Sequence, residues 1–429
     1  MPFRQIQLMP KDPPPNTETE AEIDIRGSEA SSGLAGPARS AARSPAESSM
    51  ASESSIASAA ARGLVAPGAD ASAGGTASGP VIKKVTRQTF DADELAIVLS
   101  HYDLGVLREV REFPRGSRRA PKLLLRGQED FLLKRRAKGK DDGEKVAFCH
   151  AVQAHLAARQ FPLPRLIPTR STGASMLQHR GLIYEMFEFI KGTPYDRSRE
   201  ATFEAGKILG LFHKLLRDFD PGEQPARGTY HASRTVATAL SRIPATLQAT
   251  EPDGDAAASA TLVDRLRAAY IEAVQRVERE GLNDWPMQII HTDWHPGNML
   301  FQGTRVVAVI DFDASRLAHR IIDAANGALQ FSILGASDDT DAWPDHIDED
   351  RFRTFIAGYD QVPEAVMSRA ELRAVPWLMI EALIAECAIP IAATGMFSRL
   401  PGGRFLQMVN RKVEWMQQNA DRLVSLVDG

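Results

Sequence analysis

Residues 288–313 read QIIHTDWHPGNMLFQGTRVVAVIDFD, an apolar run, a compact polar loop and a second apolar run in immediate succession. Gln288 to Ile290 reads as the end of a strand, and Pro296-Gly297 stops the loop from continuing as helix or strand. Met299 to Phe301 and Arg305 to Phe312 have the pattern of a hairpin turning at Gln302-Gly303-Thr304. Such a hairpin returns Asp311 to the side of Asn298. Asp293, Asn298 and Asp311 then meet in one place although they span nineteen residues.

That trio suits phosphoryl transfer. A hard divalent cation such as Mg²⁺ takes one or two protein oxygens and fills its other positions with phosphate and water. Asn298 and Asp311 fit that cation, and Asp293 fits the group that orients and deprotonates an acceptor hydroxyl. His291-x-Asp293 followed five residues later by Asn298 has the spacing of the protein-kinase catalytic loop, and a further Asp follows at 311. Two other readings stay open at this level. His291, Asp293 and His295, at i, i+2 and i+4 on a strand, share one face and would suit a transition metal. The trio would also serve as a purely structural polar cluster.

HTDWHPGN followed by VIDFD resembles the signature of the aminoglycoside phosphotransferase, choline kinase and homoserine kinase group, small-molecule relatives of the protein kinases. The resemblance runs from about Thr89 to Asn419 and is strongest from Gln288 to Asn326. It implies ATP and Mg²⁺ as cofactors, Asp293 as catalytic base, and Asn298 and Asp311 as metal ligands. His291 and His295 become loop-shaping residues. Asp313, where protein kinases have Gly, becomes an extra metal contact or an acceptor that holds the loop.

The resemblance also implies a nucleotide site in a small amino-terminal lobe. Lys134, closing the apolar run that starts at Phe131, is the expected α/β-phosphate contact. Its carboxylate partner is expected on the next helix, where Glu144 is the only acidic residue between Gly143 and Arg159. Tyr184 to Gly192 resembles the hinge strand, with Phe187 bordering the adenine and backbone groups of Glu188 and Ile190 bonding its edge. Phe113 to Arg119 is the expected phosphate-covering turn, with the Ser117 backbone and Arg118 or Arg119 over the phosphates.

Around these motifs the chain organises itself by composition. Between Gly27 and Pro80 about three quarters of the residues are Ala, Ser, Gly or Pro, and no aromatic lies between Phe3 and Phe90. Such a segment buries too little apolar area to offset its chain entropy, so residues 1–86 read as a disordered tail. Strand-like runs at Val106 to Phe113, Pro121 to Lys134 and Leu182 to Ile190 come first, with helices at Asp91 to Asp103 and Gly143 to Arg159. Helical patterns then dominate at Glu204 to Arg217, Ala260 to Glu280, Glu364 to Glu386 and Gly403 to Val427. The expectation is an α+β, two-lobed fold, with a β-rich lobe over 87–191 and a larger helical lobe over 192–429, and the resemblance implies that it is protein-kinase-like.

Composition bounds the remaining classes. The 429 residues carry 51 Lys+Arg against 55 Asp+Glu, a net charge of −4 that provides no global field for nucleic acid or an anionic membrane. Two distant cysteines exclude a disulfide framework, and uncharged runs fall short of a bilayer span, so a cytoplasmic protein is expected. The expected acceptor is a small-molecule hydroxyl, of aminoglycoside, choline or homoserine type. The acidic stretch Asp338 to Asp350, with Trp343 inside it, is a candidate attractor for a cationic acceptor. A regulatory nucleotide-binding module without turnover and a protein-directed kinase are the alternatives; His295-Pro-Gly and the absence of an A-P-E segment after Asp313 favour small molecules.

Overall fold

The computed structural model describes residues 87–113, 117–220, 222, 225–335 and 339–428. The proposed tail and the centre of the proposed phosphate-covering turn, Pro114 to Gly116, lie outside the described residues.

The small lobe is an antiparallel five-stranded sheet in the order β1-β2-β3-β5-β4. Its strands are β1 (Glu109–Glu112), β2 (Lys122–Arg126), β3 (Phe131–Arg135), β4 (Leu177–His179) and β5 (Leu182–Glu188). The run read from Pro121 to Lys134 as one strand is two, because Gly127 to Asp130 turns the chain. Helix α1 (Ala92–Ser100) is capped by Asp91, whose side chain accepts the Glu94 N–H while Glu94 reaches back to the Asp91 N–H.

Alternation along the strands divides their side chains between two layers. Leu123, Leu125, Phe131 and Leu133 face Val98 and Tyr102 in and beside α1. Leu124 and Leu132 face the other way and pack on Leu300, Ala308 and Ile310 of the hairpin. A sheet covered on both faces reads as a continuous apolar run, as KLLLR does in β2. The second layer also fixes the sheet against the hairpin.

The large lobe contains α3 (Arg199–Leu216), α4 (Arg234–Thr250), α5 (Ala256–Arg279), α6 (Arg320–Ser332), α7 (Glu349–Tyr359), α8 (Arg369–Thr394), α9 (Gly402–Gln418) and α10 (Ala420–Ser425). The small-lobe helix α2 (Gly143–Ala157) packs towards it. Glycines permit the closest helix contact: a Cβ at Gly206 of α3 would run into the Phe355 carbonyl of α7, and one at Gly358 into the Phe203 carbonyl. The helix read as ending at Glu386 starts behind a Ser368 capping box and continues to Thr394, with Pro376 and Pro390 inside it. Among the described residues α8 is the one helix long and apolar enough to cross a membrane, and 78% of its apolar window is buried in the fold. Both cysteines are free and buried.

Two short antiparallel pairs build the centre of the lobe. β6 (Met287–Ile290) pairs with β9 (Arg316–His319), and β7 (Met299–Gln302) pairs with β8 (Arg305–Val309). The turn between β7 and β8 has Gly303 at φ +60°, which glycine adopts without strain.

Candidate active site

The loop between β6 and β7 is held by groups that reach it from outside. Asp323 of α6 is fully buried and accepts the N–H of His291 at 2.6 Å and of Thr292 at 2.7 Å through its two oxygens. Its Oδ2 also meets His213 at 3.3 Å, and His213 bonds the Tyr359 hydroxyl at 2.7 Å. Thr292 has φ +64°, a conformation disfavoured for a β-branched residue. The Asp323 clamp and the bond from Thr292 Oγ1 to the Ala314 carbonyl, 2.7 Å, hold it there. Sequence reasoning assigned Asp323 no role; an Asp ten residues after Asp313 was the available signal.

Asp293 is 8% exposed. Its Oδ2 accepts Asn298 Nδ2 at 2.9 Å, and the same nitrogen donates to the Asp293 carbonyl at 3.1 Å. Burial pushes the Asp293 carboxyl up, but the charge of His295, 3.5 Å from Oδ1, and the hydrogen bonds outweigh it and leave the group below the usual carboxylate range. His295 accepts the Gly297 N–H with Nδ1 at 2.9 Å, and His291 accepts the Asp293 N–H with Nδ1 at 3.3 Å. Both rings thus bond backbone N–H groups of the loop. Burial holds His291 below its ordinary value, and its ring lies edge-on to Trp294. No cluster of three His, Cys, Asp or Glu side chains able to hold a metal occurs among the described residues, so the transition-metal reading lacks a donor set.

The hairpin closes as read. Ile310 donates its N–H to the Asn298 carbonyl at 3.0 Å, placing Asp311 beside the loop. Asp311 has φ +63°, a strained value for a non-glycine residue of the kind stored at functional sites. Burial and the neighbouring charges of Asp313 and Asp293 push its carboxyl up to about 6, against the pull of Lys134. Asn298 and Asp311 are of the types that could supply the one or two protein oxygens a hard cation takes when phosphate and water complete its shell.

On the small-lobe side the structure corrects the expected ion pair. Glu144 is exposed at the start of α2, where it meets the helix dipole. Lys134 instead lies 3.4 Å from Glu185 Oε2 and 3.5 Å from Asp313 Oδ2. Glu185 sits on β5, directly across the sheet from Lys134 in the β3–β5 register. Arg136 completes the network, with Nη2 at 2.7 Å from Glu185 and 2.6 Å from Asp313. His150 of α2 bonds the same Glu185 oxygen through Nε2 at 2.8 Å. The cations outweigh burial and hold the Glu185 and Asp313 carboxyls far below the usual range. Asp313 is therefore an acceptor that ties the hairpin to the small lobe.

A cavity of about 50 Å³ between the lobes is lined by Leu132, Lys134, Phe187, Glu188, Ile190 and Asp311, among others. The expected hinge residues thus share one cleft with Lys134 and Asp311. The Glu188 N–H donates to the Arg165 carbonyl at 2.8 Å and its carboxylate meets Arg165 Nε at 2.9 Å, so only other groups of Glu188 can face a base. Ser117 accepts the Arg119 N–H at 3.2 Å in a local turn and does not line that cavity.

A second cavity, of about 80 Å³, adjoins the loop. Asp293 and Thr292 line it with Tyr230, Arg316, Asn326 and Glu386. The acidic stretch expected to draw a cationic acceptor is not free to do so. Asp339 and Asp341 pair with Arg404, Asp345 with Arg411, and Asp348 with Arg351, while Trp343 is buried against Phe405. Those acids fasten the segment to α9 and α7. Asp338 lies outside the described residues.

Residues 109–367 match the family model described as the phosphotransferase enzyme family. The homoserine kinase of Zymomonas mobilis is 25% identical over 280 residues, 63% of this chain and 77% of that protein. Among solved structures, the aminoglycoside phosphotransferase of Alicyclobacillus acidocaldarius superposes with a TM-score of 0.56 at 17% identity, over 80% of this chain and 99% of that one. An amicoumacin kinase in complex with AMP-PNP and Ca²⁺ superposes with a TM-score of 0.54 at 12% identity, over 77% of this chain and 94% of that one.

Proposed function

Because the chain belongs to the phosphotransferase enzyme family, we propose that it transfers the γ-phosphoryl group of ATP, with Mg²⁺, to a hydroxyl of a small molecule. The observation that carries this reading is the position of the hairpin. Asp311 lines the cleft shared with Lys134 and Phe187, while Asp293 lines the second cavity. A phosphoryl group passing from one to the other crosses the span between the two carboxylates.

In this reading Lys134 contacts the α/β-phosphates, and the cleft around Phe187, Glu188 and Ile190 holds the base. Asn298 and Asp311 would hold the cation, which supplies charge neutralisation at the phosphate oxygens when bound. Asp293 aligns the acceptor hydroxyl, whose oxygen bonds the γ-phosphorus as the bond to the bridging oxygen of ADP breaks. A carboxylate below the usual range does not strip an alcohol in the ground state. It accepts the proton as the new P–O bond forms, which suits a loose transition state. In-line positioning and preorganised charge provide most of the acceleration.

A module without turnover gains little from the geometry. A Lys134 without a carboxylate partner would favour such a module, and Lys134 has Glu185 beside it. The test is a thermal-shift titration of the full chain with ATP and Mg²⁺, on the wild type and on Asp311→Ala. Nucleotide at about 100 times Kd stabilises the native state by roughly 2.7 kcal/mol. A magnesium-dependent shift that disappears in Asp311→Ala is expected; no shift with ATP or GTP in the wild type overturns the reading.

A further inference from the structure

The two oxygens of the Glu185 carboxylate are used differently. Oε1 takes Arg136 Nη2 at 2.7 Å and His150 Nε2 at 2.8 Å. Oε2 is shielded from solvent, meets no hydrogen-bond donor among the described residues, and faces the Lys134 ammonium at 3.4 Å. Lys134 stands 3.5 Å from Asp313 as well. Both separations exceed the roughly 2.7–2.9 Å of a charge-assisted N–H···O bond. The ammonium is therefore placed by charge between two carboxylates without a short bond to either, while Arg136 takes the short bonds to both.

That arrangement depends on how the Glu185 carboxylate is turned, and the terminal torsion of a glutamate side chain is broad. His150 of α2 fixes it. The ring is 2% exposed, and both of its nitrogens are engaged, Nε2 by Glu185 and Nδ1 by the Ser175 hydroxyl at 2.9 Å. A carboxylate only accepts, so Nε2 carries the hydrogen of that bond. A donor serving merely to satisfy Glu185 would be better placed on Oε2, which has none. On Oε1, beside the Arg136 bond, it holds the carboxylate plane and keeps Oε2 for Lys134. Glu185 and Lys134 line the nucleotide cavity and His150 does not, so the ring reaches a ligand through Glu185 alone. The helix expected to supply the acid supplies the group that aims it.

We propose that His150, held in turn by Ser175, is a positioning residue for nucleotide phosphate binding: it fixes the Glu185 carboxylate so that Lys134 stays directed at the α/β-phosphates. This rests on the phosphotransferase reading and adds two residues outside the cleft to its nucleotide side.

The experiment is calorimetric binding of ATP with Mg²⁺, of ADP and of adenosine to the full chain, in the wild type and in variants shown to be folded by circular dichroism. In His150→Leu the affinities for ATP and ADP are expected to fall about tenfold, the scale of one hydrogen bond to a charged group. Adenosine, which lacks the phosphates, stays within about twofold of its wild-type affinity. His150→Gln, whose amide replaces the Nε2 donor, recovers most of the loss, and Ser175→Ala loses a few-fold for ATP and ADP alone. Val152→Ala, a truncation of the buried core on the same helix, lowers stability and leaves the ratio of ADP to adenosine affinity unchanged. An unchanged ratio in His150→Leu, an equal loss for adenosine, or a His150→Gln no better than His150→Leu overturns the inference. Should His150→Leu not fold, Ser175→Ala decides, and an unchanged ratio there overturns it equally. A wild type that binds ADP more tightly than adenosine, with variants that follow it, loses only this inference; a wild type that binds none of the three ligands loses the phosphotransferase reading and this inference with it.

Discussion

The cavity lined by Lys134 and Asp311 and the cavity lined by Asp293 and Glu386 are built on different electrostatic plans. Around the first, charges answer one another: Lys134 and Arg136 face Glu185 and Asp313, and His150 adds a bond to Glu185. In the second, Glu386 faces a neutral amide. The first arrangement fixes the geometry of the small lobe against the hairpin.

The largest effect that would break this contrast is on the paired side. Glu185→Gln leaves Lys134 and Arg136 buried with Asp313 as their remaining carboxylate, and removing one member of a buried pair costs about 3–5 kcal/mol. Denaturant unfolding of the variant should show a loss of that order, while Glu144→Gln, at an exposed position, stays within about 0.5 kcal/mol of the wild type. Equal stability of the two variants would mean that the network is ornamental to the fold.

Asp293→Ala comes next. The kcat is expected to fall by roughly 10²-fold or more with little change in ATP affinity, because Asp323 still holds the loop through the His291 and Thr292 N–H groups. Turnover within a few-fold of the wild type removes Asp293 from its role and with it the link between the two cavities.

What was legible beforehand follows the same division. Asn298 and Asp311 flank one hairpin and Asp293 lies on the loop that leads into it, so their proximity could be read from spacing within a short segment. Lys134 was legible as the polar end of an apolar strand. Its partner was not, because Glu185 is placed by cross-strand register between segments 51 residues apart, which a helix-based expectation could not supply. Glu386 was invisible for a related reason: it arrives from α8, read as a helix ending at that residue. The acidic run after Asp338 misled in the opposite sense. Its charge density suggested an attractor, but its partners, Arg404 and Arg411, lie on a helix some sixty residues further on. The two-lobed division was readable because apolar alternation changes to helical periodicity after Gly192; the helices at Arg234–Thr250 and Glu349–Tyr359 were not read as elements.

A smaller and graded effect sharpens the contrast through pH. Burial pushes the Glu386 carboxyl up to about 7, with Asp293 adding to the rise and Gln330 and His295 opposing it. The folded pKa lies above the unfolded one, so the folded state holds the extra proton between about pH 4.5 and 7. In the absence of acceptor, stability conferred by the neutral form is therefore lost as pH rises through 7. Denaturant unfolding of the full chain between pH 5 and 8 should show this loss, and the slope should vanish in Glu386→Gln. A slope that survives in the variant assigns the titration to another group.

The smallest expected effect lies where composition alone pointed. Asp339 and Asp341 both pair with Arg404 on an exposed face, and exposed pairs contribute little. Replacing both with Asn should leave the KM of every accepted amine unchanged and the melting temperature within about 2 °C. A rise in amine KM would place a cation-recognising charge on this surface. The electrostatic contrast would then be one between a buried site and an outer field, with a dependence on ionic strength that a buried carboxylate does not show.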